Sequence, residues 1–435
     1  MYIKKSILYS VCLLIFIDAV SSGLIIPILP SLFINKKHGF VITNLYFSRE
    51  FLYGLSFVIF SVSNIFGMPI LGYMADKYGK GKIILYGLIC IILTNILCVI
   101  SILKGSILMF LFCRLLMGFL TGTYSAGMAM ISDLSKNSED RMSNFKFANI
   151  ASLCGILFGP GLSVFINQDN STNPFIVPFV IVAILSILNL VILCFNLRRI
   201  EMNIFDLLFN FKTPPSKIQH TENITSIIKY SLTYILENKS TRRLFVSFFF
   251  LQFALGIYVQ SLSLLLITAF LYTPQTIGVL MIVNSIVTIV SMYILQPFIT
   301  RYCKYISQTR ISLGLISLLF ILYAIYSIYA SHDLEEYKIF SLITLLLANI
   351  FLPFITLGFT NLFANSVDKF AQGRVMGGYG QIASLATIIS GLISGKILSV
   401  NFSIVIVLSC VALIISYVLL KSYLFHNCTI RKYIC

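Results

Sequence analysis

The 435-residue chain has no tryptophan and only four histidines, and charged residues make up 11% of it. A soluble domain carries about 25% charged residues. A water-facing globular surface is therefore excluded for most of this chain. The ten cysteines are scattered, with no Cys-x-x-Cys pair, which excludes a disulfide framework or a zinc site. Most lie inside apolar runs, as small packing residues. No glycine-rich phosphate loop and no nucleophile motif is present. No metal or cofactor is expected, and the chain does not read as an enzyme. Without tryptophan, tyrosine and phenylalanine must supply any aromatic belt at a membrane interface.

What is there is apolar length. Hydrophobic residues make up 58% of the sequence. They fall in twelve runs, roughly 7–33, 51–75, 83–103, 107–132, 146–166, 175–195, 244–270, 276–300, 311–330, 339–363, 376–396 and 400–420. A bilayer is crossed by about 20 helical residues, so each run predicts a transmembrane helix. Lys4 and Lys5 precede the first run as in a signal peptide. No small-residue cleavage site follows, so that run is expected to stay as the first helix.

An even number of spans puts both termini on one side. Most lysines and arginines then fall on that side, leaving Lys36, Lys37, Arg49, Lys104, Lys338 and Lys396 opposite. Basic residues are retained in cytoplasmic loops. The expectation is an integral, multi-pass protein of a cell membrane (the bacterial inner membrane), with cytoplasmic termini. The same asymmetry accounts for the net charge of +16, with no nucleic-acid partner needed. The partners expected are the lipid bilayer, protons and a small-molecule substrate, and the chain is expected to be a monomer.

The longest connection, 196–243, carries Pro214-Pro215 and charges of both signs. It predicts an organisation of 1–195 as one six-helix bundle, 196–243 as a cytoplasmic linker with a surface helix, 244–420 as a second six-helix bundle and 421–435 as a cytoplasmic tail. The halves repeat weakly. At one constant offset, Ser61, Met68, Ile70, Leu71, Tyr78 and Lys80 fall on Ser285, Met292, Ile294, Leu295, Tyr302 and Lys304. At a similar offset, Asn149-Ile-Ala-Ser-Leu153 falls on Gln381-Ile-Ala-Ser-Leu385. Such internal symmetry is the mark of transporter folds.

Five stretches carry motifs. The connection Gly72-Tyr-Met-Ala-Asp76-Lys77-Tyr-Gly79-Lys80-Gly81-Lys82 is a polar knot between two uncharged runs. The first run holds Asp18 in Phe16-Ile-Asp18-Ala-Val-Ser-Ser-Gly23-Leu-Ile-Ile-Pro27-Ile-Leu-Pro30, and the fourth holds Arg114 in Arg114-Leu-Leu-Met-Gly118. These two are the charged residues well inside spans. A charge at the bilayer centre costs about 2.5–3.5 kcal/mol on insertion scales, so it faces a cavity or a partner. The fifth run contains Gly155-Ile-Leu-Phe-Gly159-Pro160-Gly161, where close helix approach and a proline kink are expected. Asp133 and Arg141 follow span four, and Asp368 and Arg374 follow span ten.

Together these stretches resemble the major facilitator superfamily, and within it the 12-helix drug:proton antiporter branch that includes tetracycline efflux proteins. The first motif is similar to that family's G-x-L-A-D-R-x-G-R-R/K pattern. The resemblance implies an all-α membrane protein of two pseudo-symmetric six-helix bundles, rocking about a central site. It implies proton-coupled antiport, exporting a drug-like or amphipathic small molecule by alternating access. Asp18 and Arg114 would then couple the proton. Gly72, Asp76, Lys77, Gly79, Lys80, Asp133, Arg141 and Arg374 would form a cytoplasmic gate, with Lys80 paired to Asp133 and Asp76 against the N-terminus of span eleven. Gln252, Phe253, Tyr258, Gln260, Asn349 and Phe354 would face the substrate.

Plainer readings stand beside each of these. Asp18 is otherwise a structural acid bonded to a neighbouring helix, and Arg114 an arginine satisfied by backbone carbonyls. The gate residues are otherwise solvated loop charges, and the aromatic and amide residues packing groups. The fifth-span motif departs from the antiporter pattern, with Ser163 and Val164 where it ends in a glycine pair. Runs 83–103 and 311–330 lack the acids of tetracycline exporters, which argues against tetracycline itself. Movement of a specific metabolite or siderophore, including uptake, is the alternative transport reading. A non-transporting membrane scaffold or receptor is the alternative of another class.

Overall fold

A computed structural model of the chain describes residues 2–34, 39–40, 48–135, 138–165, 173–198, 239–303, 305–329, 334–365, 372–397 and 402–431. Among them every regular element is helical. That is what the bilayer demands: with no water to bond exposed backbone groups, a spanning segment must satisfy them within itself. Residues 199–238 of the expected linker and the last four residues of the tail lie outside the described residues, while 196–198 and 239–243 belong to the flanking helices.

The helices are α1 Tyr2–Ile34, α2 Arg49–Tyr78, α3 Lys80–Leu103, α4 Ile107–Leu120, α5 Thr123–Leu134, α6 Ser138–Gly161 and α7 Val177–Arg198. They continue with α8 Lys239–Thr268, α9 Pro274–Val290, α10 Gln296–Thr300, α11 Tyr305–Tyr329, α12 Leu334–Asn365, α13 Gln372–Ile397 and α14 Phe402–Arg431. Among the described residues eleven stretches are long and apolar enough to cross a membrane. A shorter apolar stretch, Gly380–Ser394 within α13, completes the twelve expected spans.

The fifth span ends and the sixth begins in a 3-10 turn, Leu162–Phe165 and Pro174–Ile176, and two further spans are interrupted in mid-course. The fourth breaks between α4 and α5 at Thr121–Gly122. There the Thr121 hydroxyl donates to the Gly118 carbonyl at 2.6 Å and contacts Asn64 Oδ1 at 2.7 Å. The eighth passes from α9 to α10 through a π turn, Ser291–Leu295.

The chain forms two compact units. One contains α1, α3 to α7, α2 from Ile59 onward and the first turns of α9, up to Ile282. Within it α1 packs along α6 and α7, while α3 packs on α4 and α7. The α1–α6 contact is close because Gly155 and Gly159 present no side chain. A Cβ on Gly155 would overlap the Phe16 carbonyl oxygen, and one on Gly159 would sit 2.5 Å from that of Val20. Lipid tails are as apolar as leucine, so small residues and van der Waals contact hold such helices together. Buried Leu14, Ile15, Leu88, Ile131 and Leu193 fill the space between them.

The other unit contains the first turns of α2, α8, the rest of the eighth span and α11 to α14. Here α8 packs on α13 and α14, and α11 on α12 and α14. This is the pairing of the first unit again: first span with fifth and sixth, third with fourth and sixth. Its core is more aromatic. Phe245, Phe248, Phe359 and Phe363 form one cluster, and Tyr258 packs edge-on to Phe320 with ring centroids 4.8 Å apart.

Candidate functional site

Asp18 and Arg114 line one narrow cavity in the first unit. Asp18, Ser21 and Ser22 come from α1, Phe60 from α2, Ile91, Thr94 and Asn95 from α3, and Arg114, Met117 and Leu120 from α4, with Thr121 at the helix break. Helix spacing explains the convergence. Asp18 and Ser21 are three apart on one face of α1, and Arg114 and Met117 three apart on α4.

The two charges are not paired. Among the described residues Arg114 has no carboxylate within ion-pairing distance, and Asp18 has no cation. Arg114 is only 3% exposed, and its Nε has no hydrogen-bond partner. Its guanidinium carbon lies 4.5 Å from the centroid of the Phe60 ring, a cation–π contact that compensates part of the desolvation. Asn95 is 1% exposed. Its amide nitrogen donates to the Ile91 carbonyl at 2.8 Å, while Oδ1 has no partner. Ser21 Oγ is also buried without a partner. Tyr124 of α5 lies within electrostatic range of Asp18, and the Cys98 thiol within that of Arg114.

The α2–α4 contact fixes where Arg114 stands. A Cβ on Gly118 would overlap the Phe60 carbonyl oxygen, and one on Gly67 that of Phe119. Ser63 Oγ donates to the Leu115 carbonyl at 2.5 Å. The turn of α4 that follows Arg114 is thus held against α2 at Leu115, Gly118 and Phe119.

At the other end of α2, Lys80 Nζ lies 2.5 Å from Asp133 Oδ2 and 3.3 Å from the Ala129 carbonyl. Lys77 Nζ sits over the Tyr73 and Tyr78 rings, at 5.8 and 5.3 Å. Gly79 breaks the chain between α2 and α3 with φ +101°, a conformation in which side chains are strained. Gly72 faces Ser125, whose Oγ would lie 3.3 Å from an added Cβ. The side chains of Asp76, Arg141 and Arg374 lie outside what the structure describes. In the fifth-span motif, Gly161 faces Ile282 and the Pro160 ring lies 3.0 Å from where a Gly23 Cβ would stand.

The residues expected at the substrate lie in the second unit, and several are engaged in helix contacts. Gln260 Nε2 donates to Ser390 Oγ at 3.2 Å, and its Oε1 accepts from Ser394 Oγ at 2.9 Å. Asn349 Nδ2 donates to Asn284 Oδ1 at 3.2 Å, and its Oδ1 accepts from Thr288 at 3.2 Å. Tyr258 is buried with its hydroxyl unpartnered. Phe354 is buried, Gln252 and Phe253 are half-buried, and Phe253 stacks on Phe249.

Sequence reasoning passed over Phe60, Thr94, Asn95 and Thr121. A signal existed for one of them: an amide in the middle of the uncharged run 83–103, where polar groups are costly. Phe60 carries none, being one phenylalanine among 37.

The family model of the Major Facilitator Superfamily matches residues 11–391, and the chain belongs to that family. It is a multi-pass membrane protein, with eleven stretches among the described residues long and apolar enough to cross a bilayer. It is 29% identical over 187 residues to the class H tetracycline resistance protein of Pasteurella multocida, an alignment covering 43% of this chain and 44% of that protein. It is 26% identical over 289 residues to Multidrug resistance protein 2 of Bacillus subtilis, covering 65% and 63%. The chain thus spans less than two thirds of the length of these relatives. Among solved structures, a peptide transporter crystallised with alafosfalin superposes with a TM-score of 0.67 at 14% identity, covering 95% of this chain and 93% of that one. A bacterial homologue of the iron transporter ferroportin, in an inward-facing state, gives 0.67 at 12%, covering 97% and 98%. These two likenesses concern the fold.

Proposed function

We propose that the protein exports a drug-like or amphipathic small molecule in exchange for protons, by alternating access in the bacterial inner membrane with both termini cytoplasmic. The observation that carries this reading is the cavity in which Asp18 and Arg114 stand unpaired. A carboxylate can take up and release a proton, while an arginine keeps its charge. Asp18 is thus the group whose charge changes, and Arg114 the fixed reference against which it changes. Similarity to efflux proteins over part of the chain supports export.

Opening and closing would run through the loop ends. The Lys80–Asp133 bond joins α3 to the end of α5 and would latch the cytoplasmic side, with Asp76, Lys77, Arg141 and Arg374 contributing charge around it. Gly155, Gly159, Pro160 and Gly161 would let α1 and α6 slide without parting. Gln252, Phe253, Tyr258, Gln260, Asn349 and Phe354 would supply the second unit's substrate contacts. In this reading the chain works as a monomer, with 1–195 and 244–420 as its bundles.

The test uses everted vesicles energised by respiration, with a pH-sensitive dye and a panel of amphipathic drugs, metabolites and siderophores. A compound that collapses the proton gradient with Asp18 but not with Asp18→Asn supports antiport. Accumulation of a compound by whole cells, without gradient collapse in vesicles, would replace export by uptake. No response in either assay would leave a non-transporting role.

A further inference from the structure

Proton exchange accounts for Asp18 but leaves the rest of the polar lining unused. Arg114 Nε, Asn95 Oδ1 and Ser21 Oγ are each buried and each without a partner, on α4, α3 and α1, around the same cavity. Buried polar atoms are almost always satisfied. Orphans converging from separate helices on one space mark where an occupant's polar groups would go. The space is narrow as it stands, so an occupant enters it as the surrounding helices part during alternating access. Its walls include the faces of Phe60, Met117 and Leu120, which suit an apolar body.

The charges say what kind of occupant fits. With Asp18 ionised, the lining presents one negative and one positive group that face the same volume without neutralising each other. A purely cationic ligand drawn to Asp18 meets the like charge of Arg114. A purely anionic one drawn to Arg114 meets Asp18. A molecule carrying both an amine and a carboxylate satisfies both. The other titratable groups near this pair are the free Cys98 thiol of α3, hydrogen-bonded to the Cys113 thiol of α4, and the Tyr124 phenol of α5. They add no further acid or base of the opposite kind.

We infer that the transported molecule is zwitterionic: its carboxylate is held by Arg114, whose planar fork matches a carboxylate in two parallel bonds, and its ammonium by ionised Asp18, with Asn95 Oδ1 accepting a further N–H. This rests on the antiport reading and deepens it. Protonation of Asp18 removes the ammonium's counter-charge, so proton and substrate compete for one group. That competition is what exchange requires.

The test is binding to the protein in nanodiscs, without any gradient. The probes are phenylalanine and norfloxacin, each beside a carboxyl-blocked partner (amide or ester) and an amine-blocked partner (N-acetyl). The zwitterion of at least one series binds about tenfold more tightly than either blocked partner. Arg114→Gln abolishes the preference over the carboxyl-blocked partner, and Asp18→Asn abolishes the preference over the amine-blocked one. Arg114→Lys, which keeps the charge but not the fork, retains a reduced preference and serves if Arg114→Gln does not fold. Blocked partners that bind as well as the parents, a preference that survives both substitutions, or no binding across both series would overturn the inference. Zwitterion preference without proton exchange in vesicles would support the subsite and remove the antiport reading. Proton exchange driven only by singly charged compounds would do the reverse.

Discussion

Tyr53, at the start of α2, donates its hydroxyl to the backbone carbonyl of Gln260 at 2.8 Å, joining residues 207 positions apart in sequence. The Gln260 side chain meanwhile bonds Ser390 and Ser394, so three chain segments meet on one residue. We predict that Tyr53→Phe, which keeps the ring's edge contact with Phe57, lowers stability by about 0.5–2 kcal/mol, the range for a hydrogen bond between membrane helices. Thermal unfolding in detergent reads this directly. An unchanged midpoint would mean that the carbonyl finds another donor and that the bond is incidental.

Asp18→Asn is predicted to leave stability unchanged or raised while ending exchange. The carboxylate has no cation among the described residues, and removing an uncompensated buried charge is not costly in the way that breaking a pair is. The measurement is an unfolding midpoint beside a flux assay on the same preparation. A variant that unfolds more easily would make Asp18 a structural acid instead.

Gly79 and Gly81 separate backbone strain from crowding, because neither has any atom within 4 Å of an added Cβ. Gly79 has φ +101°, whereas Gly81 lies in the first turn of α3. Gly79→Ala is predicted to destabilise by about 1–3 kcal/mol. Gly81→Ala is predicted to be neutral or to stabilise by up to about 1 kcal/mol. Equal effects at the two positions would remove the assignment of strain to Gly79.

The Lys80–Asp133 bond is predicted to matter more to rate than to stability. Lys80 is 21% exposed and Asp133 63%, and exposed pairs contribute under about 1 kcal/mol. Asp133→Asn should shift the unfolding midpoint little yet lower flux severalfold, with partial recovery in the reversed pair Lys80→Asp with Asp133→Lys. Unchanged flux in Asp133→Asn would reduce the contact to a loop ornament.

Much of the fold was legible because the bilayer simplifies the code. An uncharged run of bilayer length has one way to satisfy its backbone, so the spans follow from composition. Asp18 and Arg114 stood out for the same reason, since a charge in hydrocarbon is costly. What run lengths cannot carry is rotation. Nothing in the sequence alone says that Asn95 turns towards Arg114, or that Phe60 lies under the guanidinium. Those depend on how closely Gly67 and Gly118 let α2 and α4 approach. The break at Thr121–Gly122 was also hidden, because Thr121 is compatible with a continuous helix until Asn64 is beside it.

The eighth span winds through a π turn at Ser291–Leu295, whereas its counterpart in the repeat, α2, is α-helical from Arg49 to Tyr78. A π turn takes in one extra residue, and one residue is about 100° of helix rotation. Positions that correspond by number beyond the turn therefore look in different directions. Met74 packs against the core of its unit, while Phe298, which aligns with it, is 57% exposed. The two copies are out of phase at this end by one residue. Bringing the duplicates back into step up to Cys303 would take the deletion of one residue from 291–295.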